Sequence, residues 1–153
     1  MQMATIEQLW VRPTTDVGTR AVDQAMVRAG AGVDGDHFSG DGSRQITLID
    51  RDSWDAACQA LGADVDPALR RANVLVEGVV LGDSIGRTLQ LGRVRVRVIG
   101  ETTPCSLMDE MHPGLLSALV PACRGGVYGE ILDDGSIRIG DDVKLLDTAS
   151  GDA

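Results

Sequence analysis

Arg93-Val94-Arg95-Val96-Arg97-Val98 is the stretch that most narrows what this chain can become. Successive residues of an extended strand point to opposite faces, so strict alternation puts three valines on one face and three arginines on the other. One face is built for a core. The opposite face reads either as a basic wall for an anionic ligand or as a solvated sheet surface, which any amphipathic strand shows.

Other segments repeat the pattern in short pieces. Residues 6–11 read as an opening strand closed by Pro13, and residues 44–49 alternate Gln45 and Thr47 against Ile46 and Leu48 as a half-buried strand. A β-branched run covers 73–80, a turn follows at Gly82 and Gly86, and short strands are expected at 88–91, 127–132, 136–139 and 143–146. Asp133-Asp134-Gly135 is a hairpin signal. Helical spacing is read at Val22, Ala25, Met26 and Ala29 over residues 21–28. A second helix has Asp50 or Asp52 as its cap, Trp54, Ala57, Cys58 and Leu61 on one face, and Gly62 at its end. With roughly seven strands and two or three short helices, the expectation is a mainly β fold with short helices (α+β), a closed or nearly closed mixed β-barrel with helices at its ends. The 153 residues fit one domain, read as 1–147, followed by a small polar tail at 148–153.

Charge excludes some functions. A net charge of -9 opposes sequence-independent nucleic-acid binding, which needs many cationic contacts to phosphate. Arginines converging in a cleft can still outweigh that average and take an anionic small molecule. The basic residues are thirteen Arg and one Lys, Lys144; arginine's planar fork suits oxyanions, though compositional bias is by itself a sufficient explanation of the ratio. No apolar run reaches the ~20 residues of a membrane span and no secretory leader is evident, so a cytoplasmic protein without a membrane partner is expected. Cys58, Cys105 and Cys123 are too scattered for a disulfide framework.

Cys105 follows Pro104, after the alternating strand and just before a helical segment expected at 106–111. A thiol at a helix start is favoured as thiolate, the form that attacks and ligates, whereas a lone cysteine is more commonly a small buried residue. Arg124-Gly125-Gly126 either lets backbone approach a ligand beside a guanidinium or makes a tight turn. The polar loop Asp34-Gly35-Asp36-His37, continuing to Arg44, reads as a binding loop or a flexible connection. No Cys-x-x-Cys or His-x-x-x-His pairing supports a zinc site, a Cys105–Cys123 redox pair cannot be read from sequence separation, and no nucleophile elbow, Walker or dinucleotide fingerprint occurs.

Taken in order, these pieces resemble the MOSC domain, the module of molybdenum cofactor sulfurase C-termini, of amidoxime-reducing molybdenum proteins and of small standalone bacterial proteins. Gly32-Val33-Asp34-Gly35-Asp36-His37, Arg44-Gln45-Ile46-Thr47-Leu48-Ile49, Arg71-Ala72-Asn73-Val74 with Gly78, and Gly86 with Leu91-Gly92 are similar to successive family motifs. Pro104-Cys105, Arg124-Gly125-Gly126-Val127-Tyr128-Gly129 and Gly135-Ser136-Ile137-Arg138-Ile139-Gly140-Asp141 continue the series.

The resemblance implies a MOSC-type barrel and a molybdenum cofactor (molybdopterin) in a cleft. It also implies Cys105 as the catalytic thiol, carrying a persulfide to molybdenum or ligating it. Arg71, Asn73 and Arg124 match positions assigned to the cofactor's phosphate and pterin, with His37 and Arg44 as further candidates. The implied activity is sulfurtransferase-like, or that of one component of a molybdenum-dependent oxidoreductase. The implied partners are a cysteine desulfurase or a separate electron-transfer protein, since the chain carries no iron–sulfur or pyridoxal-phosphate domain. Covalent pyridoxal phosphate is not expected, because a Schiff base needs a lysine amine and Lys144 is the sole one. The alternatives are a non-catalytic cofactor carrier or storage protein, and a MOSC-derived protein-interaction scaffold.

Overall fold

In the computed structural model, which describes residues 4–13, 18–37 and 42–146, the alternating segment lies in a strand whose valines all face inward. Val94, Val96 and Val98 are fully buried, and Arg95 and Arg97 stand half-buried on the opposite face. The strands are β1 (Ala4–Val11), β2 (Arg20–Val22), β3 (Gln24–Arg28), β4 (Gly32–Val33), β5 (Ile46–Asp50), β6 (Val74–Glu77), β7 (Thr88–Leu91), β8 (Val94–Glu101), β9 (Val127–Ile131), β10 (Gly135–Arg138) and β11 (Asp142–Leu146). The helices are α1 (Arg51–Leu61), α2 (Leu107–Met111) and α3 (Leu115–Leu119).

Seven strands close on themselves in the order β11-β7-β8-β9-β5-β6-β1, with β1 pairing back to β11 and β2 added beyond β1. Only β5 and β6 run parallel, which makes the barrel mixed. A parallel pair needs a crossover, and here α1 and a 3₁₀ turn at Pro67–Arg70 provide it. Closure removes the exposed edges that an open sheet of short strands would leave.

The interior is filled by Ile6, Leu9, Leu48, Val74, Val76, Leu89, Val96 and Val127, and the small sheet β10-β3-β4 contributes Ala25, Val27, Val33 and Ile137 to the same cluster. A second apolar cluster lies outside β5 and β6, where Ile49 and Leu75 meet Trp54 and Ala57 of α1, Met108 of α2 and Leu115 and Leu119 of α3. This covering explains a difference from expectation. β5 is buried along its whole length rather than half-buried, because helices cover the face that would otherwise be solvated. Asp50 caps α1, accepting from the Ser53 amide at 2.9 Å, and Gly62 ends it.

Two other local readings are corrected. Residues 21–28 form β2 and β3 instead of a helix; Ala25 and Val27 also fit period two, and pairing of β3 with β10 buries both. Asp133-Asp134-Gly135 does not close a hairpin, because β9 belongs to the barrel and β10 to the small sheet. There, Asp133 accepts the Arg95 guanidinium in a two-bond pair at 2.9 and 3.0 Å, and Asp134 accepts from the Ala29 amide. The expected tail at 148–153 lies outside the described residues.

Candidate functional site: an arginine-lined cleft with a thiol in its wall

Three stretches of backbone meet at one end of the parallel pair. They are the start of β5, the Arg70–Arg71 turn that leads into β6, and the loop from Thr102 to Cys105 that joins β8 to α2. Between them lies a cleft of about 250 Å³ lined by Arg12, Arg44, Thr47, Arg70, Arg71, Thr102 and Cys105, with Met108 and Gly125 also in its walls.

The turn positions its arginines by local chemistry. Asp66 caps the 3₁₀ segment by accepting from the Ala68 amide, and the Arg71 amide donates back to the Ala68 carbonyl with Arg71 held at φ 64°. A left-handed conformation at a residue with a Cβ costs about 1 kcal/mol, so the fold holds Arg71 in this place against a local preference. Arg70 is buried; its guanidinium donates to the Gly125 carbonyl at 2.8 Å, the Thr102 carbonyl at 2.9 Å and Met108 Sδ at 3.8 Å. None of those partners carries a charge. Burial lowers the Arg70 pKa to about 10, the charge at Cys105 opposes that fall, and Arg44 and Arg12 add to it. Arg71 is lowered too, first by burial and then by Arg12, as expected where cations crowd one another.

Arg12, at the exit of β1, is anchored by Asp36, which accepts from its backbone amide and from two guanidinium nitrogens at 2.7, 2.9 and 2.7 Å. The Asp36 carboxylate is fully buried. Arg44 is exposed and lies over the Tyr128 ring, 5.1 Å from its centroid. Among the described residues the lining therefore holds four guanidinium groups and no carboxylate, in a chain whose net charge is -9. Converging guanidinium groups within low-dielectric walls raise the local positive potential in spite of that average.

Of the residues singled out by sequence, Cys105, Arg71 and Arg44 are brought together in the cleft, with Cys105 exposed. The other three lie elsewhere. Asn73 is buried as a clamp between strands: its Oδ1 accepts from the Thr47 amide at 3.0 Å and its Nδ2 donates to the Trp10 carbonyl at 3.3 Å. Arg124 donates to the Ala118 carbonyl at 3.1 Å, at the end of α3, and is not among the lining residues. His37 is exposed beside Asp36, its amide donating to the Arg12 carbonyl, and does not line the cleft.

Gly125 and Gly126 serve close packing. A Cβ at Gly125 would come 2.9 Å from the Thr102 carbonyl, and one at Gly126 would come 2.2 Å from the Leu48 carbonyl. Arg93, Arg95 and Arg97 are on the outer face and none lines the cleft. Cys123 packs its Sγ toward Gly82, and burial, then Glu101 and Asp50, raise its pKa. Lys144 is exposed on β11, outside the cleft.

Sequence reasoning missed Arg12, Arg70 and Thr102. Arg12 directly follows the first strand and precedes Pro13, and Arg70 adjoins the chosen Arg71, so both carried a faint signal. Thr102 carried none.

A closed mixed β-barrel with a cationic cleft and an exposed thiol in its wall defines the class of protein. The sequence model of the MOSC domain matches residues 34–144, and the chain belongs to that family. Among solved structures it resembles the YuaD protein of Bacillus subtilis, with a TM-score of 0.79 and 22% identity over 94% of this chain and 96% of that one. It is also similar to YiiM from Geobacillus stearothermophilus (TM-score 0.74, 20% identity, 94% and 75% covered) and YiiM from Escherichia coli (TM-score 0.72, 14% identity, 96% and 71% covered). No curated protein matches the chain. The family is associated with molybdenum cofactor-related function. Among the described residues, no helix is long and apolar enough to cross a membrane.

Proposed function

We propose that the cleft binds the anionic pterin of the molybdenum cofactor and that Cys105 is the thiol facing its metal, delivering sulfur to it or ligating it. The observation that carries this reading is the convergence of exposed Cys105 with Arg12, Arg44, Arg70 and Arg71 in one cleft, with no carboxylate in its lining among the described residues. The donor set fits such a group. Guanidinium forks match phosphate and other oxyanions bidentately, and a thiolate is a suitable soft ligand. Among the described residues no cluster of three or more His, Cys, Asp or Glu side chains is arranged for a bare ion, so a metal that arrives with its own organic ligand suits the site better.

When bound, the cofactor supplies a thiophilic metal centre able to exchange oxygen and sulfur ligands and to pass electrons. The chain's part is positional and electrostatic. Arg44 and Arg71 offer their guanidinium groups to the ligand's anionic end, while Asp36 keeps Arg12 in one orientation. Arg70 ties the Thr102–Cys105 loop to Gly125 through two carbonyls, so the thiol is held at a defined place in the wall. In the sulfur-delivering mode, the Cys105 thiolate attacks the terminal sulfur of a donor persulfide; a new S–S bond forms on Cys105 and the donor leaves as thiolate.

The test is co-expression with cofactor-synthesis machinery and quantification of pterin released from purified wild type and Arg71→Ala. Wild type is expected to retain pterin and Arg71→Ala to lose most of it. Wild type without pterin would contradict cofactor retention.

A further inference from the structure

We propose that Thr102 and Arg70 form an oxyanion subsite at the inner corner of the cleft, with the Thr102 hydroxyl as a ligand contact. Thr102 is only 9% exposed, its Oγ1 has no hydrogen-bond partner among the described residues, and it lines the cleft. Buried hydroxyls are nearly always satisfied, because an unmade hydrogen bond in a dry site costs about 1–3 kcal/mol. A bound ligand supplies the missing partner.

The surroundings specify its chemistry. Arg70 Nη2 donates to the carbonyl of Thr102 itself, which fixes a buried guanidinium beside the hydroxyl, and Arg71 lines the same cleft. Gly125 closes the corner, its missing Cβ leaving room for Arg70, whose Nη2 would lie 3.3 Å from that atom. A hydroxyl next to cations, in a lining whose described residues include no carboxylate, donates its proton to an anionic acceptor. A tetrahedral oxyanion of the phosphate type meets both demands. It comes either from the phosphate end of the pterin, which rests on the function proposed above, or from free inorganic phosphate, which does not.

The experiment compares wild type, Thr102→Val and Thr102→Ser. Thermal unfolding is followed against inorganic phosphate at constant ionic strength, and pterin is quantified after co-expression. Valine keeps the shape and removes an unpartnered hydroxyl, so Thr102→Val is expected to unfold at the same temperature as wild type or higher without phosphate. Phosphate is expected to stabilise wild type and Thr102→Ser saturably, with affinity falling at least about tenfold in Thr102→Val. Equal phosphate response in wild type and Thr102→Val overturns the subsite, as does no response in wild type. A lowered unfolding temperature of phosphate-free Thr102→Val also overturns it, since the hydroxyl would then have a partner within the fold. With the phosphate response as expected, pterin lost from Thr102→Val assigns the oxyanion to the cofactor. Pterin absent from wild type leaves the subsite standing and removes the cofactor reading.

Discussion

Asp36 is a buried carboxylate paired with a cleft arginine, and the consequences of that pairing are measurable. Its side chain is fully buried and that of Arg12 is 12% exposed. Removing one partner of such a pair strands the other's charge, which costs roughly 3–5 kcal/mol. Asp36→Ala is therefore expected to lower unfolding free energy by about 3 kcal/mol in a denaturant titration, and Asp36→Ala with Arg12→Met to recover a substantial part. A loss below about 0.5 kcal/mol would show that water solvates Arg12 adequately in the variant. The three cysteines provide a second check at this scale. Cys105 is exposed beside arginines, whereas burial, Glu101 and Asp50 all push the Cys123 thiol up and disfavour its thiolate. Iodoacetate, an anion, is expected to label Cys105 well before Cys123 near pH 8, read by peptide mass spectrometry; the reverse order would contradict this electrostatic map. Cys105, Arg71 and Arg44 were legible because motif order marked them. Arg12, Arg70 and Thr102 were not, since their roles arise from long-range contacts to Asp36 and Gly125 and from an unmet hydrogen bond that no local pattern encodes.

At the scale of elements, β9 must press against β5 where Gly126 enters it. Gly126 has φ 96° and its absent Cβ would sit 2.2 Å from the Leu48 carbonyl, so a side chain meets both backbone strain and a backbone clash. Gly126→Ala is expected to destabilise by several kcal/mol or to prevent folding, seen as loss of soluble protein or of cooperative unfolding. Gly30→Ala is the control: its φ is 66° but nothing lies within 4 Å of the added Cβ, so about 1 kcal/mol is expected. Equal effects would mean that the close approach of β9 to β5 is not needed. The same elements show why some local readings failed. Ala25 and Val27 fit two periods at once, and only the partner β10 decides for a strand. Asp133-Asp134-Gly135 has hairpin residues, yet strand order sends β10 to another sheet. Strong single-period segments such as the alternating stretch 93–98 had no competing reading as a helix and came out as strands, here within Val94–Glu101.

Across the whole molecule, closure places a parallel strand pair in an otherwise antiparallel barrel, and the site forms where the crossover turn enters β6. The turn, the β8–α2 loop and the exit of β1 come from distant parts of the sequence, which is why the barrel class could be foreseen from strand count and motif order while Arg12, Arg70 and Thr102 of the cleft could not. Four arginines gathered in one cleft of a chain with a net charge of -9 support the anionic ligand proposed above, and the thiol among them suits the proposed chemistry at a thiophilic centre. The most direct measurement is molybdenum content, after co-expression with cofactor-synthesis machinery, in purified wild type and Cys105→Ser, with circular dichroism to confirm that both are folded. Metal is expected to be bound to wild type and lost or labile in the folded Cys105→Ser variant; equal, stable metal in both would contradict the assignment of Cys105 as the thiol that faces it.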